Sequence, residues 1–180
     1  NRFGRISATA AAHVVDELDS RIPLVIDAGP TKHGIESTIV AIRNNQIELL
    51  RRGPVSAEEL SKFGNVVVAA PNALRPEAPG QLASHYAPGT PLVIVDDIGS
   101  FVAPEQKRCG LLAWNFSDES AQFTTVRRLT SNKDFLEAAS NLFRCLRELD
   151  QENLDLIVAE KIPEEGLGCA IMDRLRRAAH

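Results

Sequence analysis

Hydrophobic and polar positions follow two periods along the chain, one of two residues and one near three and a half. In QIELLRRG, residues 46–53, alternation puts Ile47, Leu49 and Arg51 on one face of a strand and Gln46, Glu48, Leu50 and Arg52 on the other. The run before it, ESTIVAI, is apolar on both faces after Ser37 and Thr38, which predicts a strand central in its sheet. Asn44-Asn45 between the two predicts a two-residue hairpin turn. Upstream, the pattern predicts a helix over about 9–18, with Ser7 and Thr9 as candidate N-caps, and a short buried strand over 23–28. Ser56-Ala-Glu-Glu59 reads as a capping box that opens a short helix to about Phe63, and NVVVAAP as a further buried strand over 65–71.

The pattern then lapses. Residues 71–91 carry five prolines and little periodicity, so they read as a linker, yet they hold His85 and Tyr86, the only tyrosine. Such a tyrosine either pins the linker to a domain surface or contacts a ligand. Beyond it, strands are predicted over 91–96, 109–116, 123–129 and 154–160. Ser131-Asn-Lys-Asp134 resembles a capping box. It precedes a helix whose Phe135, Ala139, Leu142, Leu146 and Leu149 form one apolar stripe. A last helix over 166–179 has Leu167, Ile171, Leu175 and Ala178 on one face, with Arg174, Arg176 and Arg177 read as a solvated face. Alternating strands and helices predict a small, mostly parallel α/β sheet. The Gly166-Leu-Gly168 turn lacks the GxGxxG spacing of a nucleotide loop.

Charge and composition narrow the chemistry. A net charge of −4 without a basic block argues against a protein whose main business is gripping nucleic acid. No apolar run reaches the roughly 18 residues of a membrane span, and there is no signal-peptide pattern. Cys109, Cys145 and Cys169 are far apart in apolar contexts, fitting neither a disulfide framework nor a metal site, and point to a reducing, cytoplasmic compartment. Against this ordinary background Arg51 stands out, because a guanidinium on an apolar face needs a partner. That partner is either an internal carboxylate or snorkelling contact, or a bound anion such as phosphate. Ser37 and Thr38 stand at a strand entrance, where hydroxyls face a ligand or bond local backbone. The start of the first helix, with its hydroxyls, is a further candidate anion site.

Four stretches, NRFGRISAT, DAGPTKHGIESTIV, ELLRRG and APGQLASHYAPGTP, together resemble the long form of the threonylcarbamoyl-AMP synthase family. That form has a YrdC-like catalytic domain, a proline-rich linker and a small Rossmann-like C-terminal domain. GLGCAIMDRLRRAA is similar to the family's C-terminal helix. The resemblance implies the later part of the catalytic domain over 1–71, a linker and lid over 72–90, and the small domain over 91–180. It also implies that the family's KxR motif and the serine of its SxN motif lie upstream, and that these residues alone have little or no synthase activity.

The implied reaction joins L-threonine, bicarbonate and ATP into L-threonylcarbamoyl-AMP and pyrophosphate. A carbamate forms on the threonine amine, and its carboxylate attacks the α-phosphate, with Mg2+ accompanying ATP and no covalent protein nucleophile. The product serves the N6-threonylcarbamoyl modification of adenosine next to the anticodon, which implies a downstream tRNA threonylcarbamoyl-transfer complex as partner. By residue, the resemblance assigns ATP contacts to Asn1 of the SxN motif, to Thr9 at the helix start and to Arg51 of the LRPG motif. It assigns the L-threonine contact to Ser37 of the EST motif. His85 and Tyr86 match the linker's HY pair, which folds over the site, and one of them contacts ATP. Arg52 stands where the family has proline, Gln81 where it has methionine, and residues 82–84 where it has a basic stretch. The reading from a different class is a non-catalytic RNA-binding or docking module. A related carbamoyl-transfer enzyme with the same fold is disfavoured by the HYAP linker and the small α/β domain.

Overall fold

The computed structural model describes residues 4–69, 77–80, 82, 84–115 and 122–180. In the N-terminal part, strands β1 (Ile39–Arg43) and β2 (Gln46–Arg51) pair antiparallel, and β3 (Val66–Val68) joins β2 in parallel, in the order β1-β2-β3. Asn44 and Asn45 carry φ values of 49° and 58°, the left-handed pair of a type I′ turn, whose twist matches the strands it joins. Helix α1 spans Ala11–Leu18 and helix α2 spans Ala57–Leu60. The capping box forms as the spacing predicts. The Glu59 N–H donates to Ser56 Oγ at 3.2 Å, and the Ser56 N–H donates to the Glu59 carboxylate at 2.9 Å.

The C-terminal part is a parallel sheet of β4 (Leu92–Val95), β5 (Cys109–Ala113), β6 (Thr125–Arg128) and β7 (Leu156–Glu160), in the order β4-β7-β5-β6. Helices α3 (Phe135–Asp150) and α4 (Leu167–Ala178) complete the predicted α/β arrangement. The apolar stripe of α3 is buried, Leu142, Leu146 and Leu149 fully so.

Four local expectations need correction. Residues 23–28 do not form a strand, and Leu24 and Ile26 are 73% and 86% exposed. A strand exists by pairing, and no described strand lies alongside this segment. The ESTIVAI run forms an edge strand, with Ile42 71% exposed, because two-sided apolarity suits a central strand but does not supply its second neighbour. Helix α1 begins at Ala11 with Ala10 as an N-cap lacking a side-chain bond; Ser7 Oγ instead donates to Glu36 and Thr9 Oγ1 lies 3.3 Å from His13 Nδ1. At α3 the cap is Asp134, whose carboxylate accepts the Leu136 and Glu137 N–H groups at 2.7 and 2.9 Å.

The main core does not stop at the linker. It runs from Ile6, Ile35 and Tyr86 into Leu142, Phe143 and Leu146 of α3 and Ile171 and Leu175 of α4. Gly34 lies so close to α3 that an added Cβ would meet Ala139 O at 2.3 Å. Polar ties follow the same seam. Arg147 on α3 ion-pairs with Glu17 on α1 and donates to the Ile6 and Ser7 carbonyls. Asp150 accepts the Gly89 and Thr90 N–H groups at 2.9 and 2.7 Å.

Candidate active site

The ends of β1 and β2 bring together the two polar groups that the alternation singles out. Arg51 Nε donates to Ser37 O at 2.9 Å, Nη2 to Ser37 Oγ at 3.1 Å, and Nη1 to Pro79 O at 3.4 Å. Among the described residues no carboxylate ion-pairs with Arg51, so its charge is held by neutral oxygens and is available to an anion. The approach is tight because position 53 is glycine: a Cβ there would lie 2.3 Å from the Thr38 N. The two hydroxyls at the strand entrance part company. Thr38 Oγ1 donates to Val55 O at 2.8 Å and accepts the Val55 N–H at 3.0 Å, whereas Ser37 is exposed beside the guanidinium.

The linker closes one side. Tyr86 is 1% exposed, with its ring stacked 5.5 Å from Phe143 and its hydroxyl against Gly80, where a Cβ would fall 2.3 Å away. His85 packs edge-on to Tyr86 at 4.0 Å, and its backbone N–H donates to Arg177 O at 3.1 Å. Arg177 Nη1 in turn donates to Leu82 O at 2.5 Å, so α4 grips the linker through main chain and side chain. A cavity of about 100 Å3 lies between the three-stranded sheet, the linker and α4, lined by Leu49, Arg51, Arg52, Gly80, Asp173 and Arg177. Three guanidiniums against one carboxylate give it a positive interior, suited to phosphate oxygens.

Burial lowers the His85 imidazole, and Arg177, Arg174 and Arg51 push the same way against Glu36, so this ring favours neutrality. A lowered histidine adds stability above its unfolded value, lost as pH falls through the folded one. Burial raises the Tyr86 phenol, against the pull of Arg174. The neutral phenol therefore contributes stability in full below its ordinary value of about 10, and that contribution is lost as pH rises through the folded value. The expected result is a tyrosinate absorbance titration that stays flat through the ordinary range and then rises together with loss of helical circular dichroism. Ionisation at the ordinary value in a folded chain would place the ring in solvent.

Two residues escape the reading from pattern. Glu36 accepts from Ser7 Oγ and from Arg174 Nε, the latter at 3.0 Å. Arg174 does not lie on a solvated face: its side chain is 0% exposed and sits 5.4 Å over the Tyr86 ring. Only Arg176 of the three arginines is exposed, since Arg177 is half-buried on the linker. A signal for Arg174 is present in the sequence, because it lies three residues after Ile171 and four before Ala178, within the apolar stripe. Of the predicted residues, Ser37, Arg51, His85 and Tyr86 converge. Thr9 is buried beside His13, and its loop reaches the others through the Ser7–Glu36 bond. Asn1 lies outside the described residues.

Residues 1–53 match a family described as telomere recombination, and residues 55–180 match the threonylcarbamoyl-AMP synthase C-terminal domain. Threonylcarbamoyl-AMP synthases from Pyrococcus abyssi and Bacillus subtilis are 31% and 32% identical, each over 99% of this chain and 56% and 55% of the relative. The Schizosaccharomyces pombe relative is 32% identical over 99% of this chain and 50% of its own length. The chain thus spans about half the length of the curated relatives it matches. The crystal structure of P. abyssi Sua5 complexed with L-threonine superimposes with a TM-score of 0.83 at 30% identity, over 99% of this chain and 56% of that one. A variant of the same protein with an adjacent histidine and tyrosine replaced by alanines also gives 0.83, at 28% identity, over 98% of this chain and 54% of that one. A parallel C-terminal sheet whose α4 bonds to Glu36 and to the linker beside a strand-end arginine and serine, and a family match covering most of the residues, lead to one assignment: this chain belongs to the threonylcarbamoyl-AMP synthase family.

Proposed function

We propose that these residues form the later part of the site of an L-threonylcarbamoyladenylate synthase. Bicarbonate, or the carbon dioxide it releases with loss of water, is captured by the threonine amine, which gives up a proton to form the carbamate. The carbamate oxygen attacks the α-phosphorus of ATP, and the bond to the bridging oxygen breaks to release pyrophosphate. The product then serves a downstream transfer complex that modifies tRNA.

The observation that carries this reading is Arg51, held in place by Ser37 and Pro79 and ion-paired with no carboxylate among the described residues. Such a pre-aimed guanidinium suits the charge of a triphosphate and its developing leaving group. Ser37 offers its hydroxyl to L-threonine, in keeping with the threonine complex of the P. abyssi relative. By the family resemblance Thr9 and Asn1 would contact ATP, with the linker pair beside it. Within that pair His85 keeps some solvent access, whereas Tyr86 is an anchor. Mg2+ would enter with the phosphates of ATP, whose oxygens are the hard ligands it prefers. No helix among the described residues is long and apolar enough to cross a membrane.

The test is isothermal titration of L-threonine and ATP into the chain extended upstream by the KxR and SxN segments expected from the resemblance. A hydrogen bond to a charged substrate group contributes about 1.5–3 kcal/mol, so Ser37→Ala should weaken L-threonine by about 10- to 150-fold and leave the fold intact. No binding of either ligand by the unaltered protein, with a salt-dependent shift of tRNA mobility instead, would replace the reading with RNA binding.

A further inference from the structure

We infer that Arg174 of α4 is a positioning residue for the L-threonine end of the site: it fixes Glu36, and through Glu36 the adjacent Ser37, so that the C-terminal sheet sets the substrate-binding hydroxyl. This rests on the function proposed above.

The first argument is what Arg174 costs where it sits. A fully buried guanidinium carries a desolvation penalty that its ion pairs need not repay, and an apolar residue of similar size would serve the packing of α4 as well or better. Arg174 is not even satisfied: Nε donates to Glu36 at 3.0 Å and Nη1 to Asp173 at 3.1 Å, but the buried Nη2 has no hydrogen-bond partner among the described residues. Each such orphaned donor is unfavourable. The charge is therefore poorly explained as a contribution to stability.

The second argument is what Arg174 touches. Its principal partner belongs to the N-terminal part, 138 positions away, and directly precedes Ser37. Glu36 has one carboxylate oxygen on Arg174 and the other on Ser7 Oγ, so it is held from two sides. Ser37 is held in turn through its carbonyl and hydroxyl by Arg51. Arg51, Ser37, Glu36 and Arg174 thus form one continuous line from the anion-facing guanidinium to α4. The Tyr86 ring beneath the guanidinium, 5.4 Å from its carbon, keeps Arg174 from swinging out of that line. A rotation of α4 would pull Glu36 and displace the Ser37 hydroxyl, and positioning errors of this kind weaken binding without disturbing the fold.

The experiment uses the same extended protein. Arg174→Lys keeps the charge but loses the planar fork, and Glu36→Gln keeps the shape but loses the charge. Each is expected to weaken L-threonine by about tenfold or more while changing ATP affinity by less than about threefold, and the pair should be no worse than the poorer single variant. Unchanged L-threonine affinity in a folded Arg174→Lys or Glu36→Gln protein overturns the inference, as does an equal loss for both ligands that tracks a fall in melting temperature. If Arg174→Lys does not fold, Glu36→Gln alone decides, because Glu36 is partly exposed and its replacement is isosteric. Failure of the unaltered protein to bind L-threonine would instead sink the proposed function, so the two failures are distinct.

Discussion

Arg51→Ala is expected to lower ATP affinity by about 150-fold with little loss of stability. Two charge-assisted bonds to phosphate are together worth about 3 kcal/mol, and each 1.4 kcal/mol is a factor of ten in affinity. The fold should tolerate the change because Arg51 is half-buried at a strand end and, among the described residues, bonds to Ser37 and Pro79, which are exposed. Arg51→Lys should recover part of the affinity, since the ammonium restores the charge but not the two-pronged geometry. Titration calorimetry beside thermal melting separates these effects. An unchanged ATP affinity in the alanine variant would reduce Arg51 to a strut that joins Ser37 to the linker.

Gly34→Ala should be nearly as damaging, although it changes no charge and removes no contact to a ligand. Gly34 has φ +67°, where an L side chain costs about 1–2 kcal/mol. The new Cβ would lie 2.3 Å from Ala139 O, 2.5 Å from Ser140 Cα and 2.6 Å from Ser140 O. All three are backbone atoms of α3 and cannot rotate aside, and overpacking of this kind costs about 1–3 kcal/mol more. A total of about 2–5 kcal/mol corresponds to a melting temperature roughly 10 °C lower for a chain of this size. L-threonine affinity should fall as well, because Gly34 leads directly into Glu36 and Ser37. Gly64→Ala is the control: its Cβ would meet only the Ile47 side chain, at an ordinary 3.6 Å. A Gly34→Ala protein that melts within about 2 °C of the unaltered one would show that α3 can draw back, and that the seam between the sheets is loose.

Elements that depend on near neighbours are legible from the order of residues alone. Asn44-Asn45, the Ser56–Glu59 box, the stripe of α3 and the alternation of β2 each specify their conformation within a few residues. The meeting of Ser37 with Arg51 is less direct: the turn's register would set Ile39 opposite Leu50, and a register shift between Ile39 and Val40 sets it opposite Arg51 instead. Residues 23–28 have the right composition for a strand, but composition cannot provide a pairing edge. The composition of residues 71–91 is that of a spacer, yet Tyr86 is a core residue, because a single aromatic ring can find a pocket wherever the chain passes one.

The α/β class and the order of most elements are thus written in the chain itself. They rest on periodicity, turn chemistry and caps, which act over a few residues. Three features come from the packed molecule instead: the core of the C-terminal sheet takes in Ile6, Ile35 and Tyr86, Gly34 abuts α3, and Arg174 is buried on Glu36 and Tyr86. Burial is a property of what lies opposite, and Arg174 meets its partner 138 positions away. The stripe of α4 marks the face on which Arg174 lies, but no local pattern says what packs over that face.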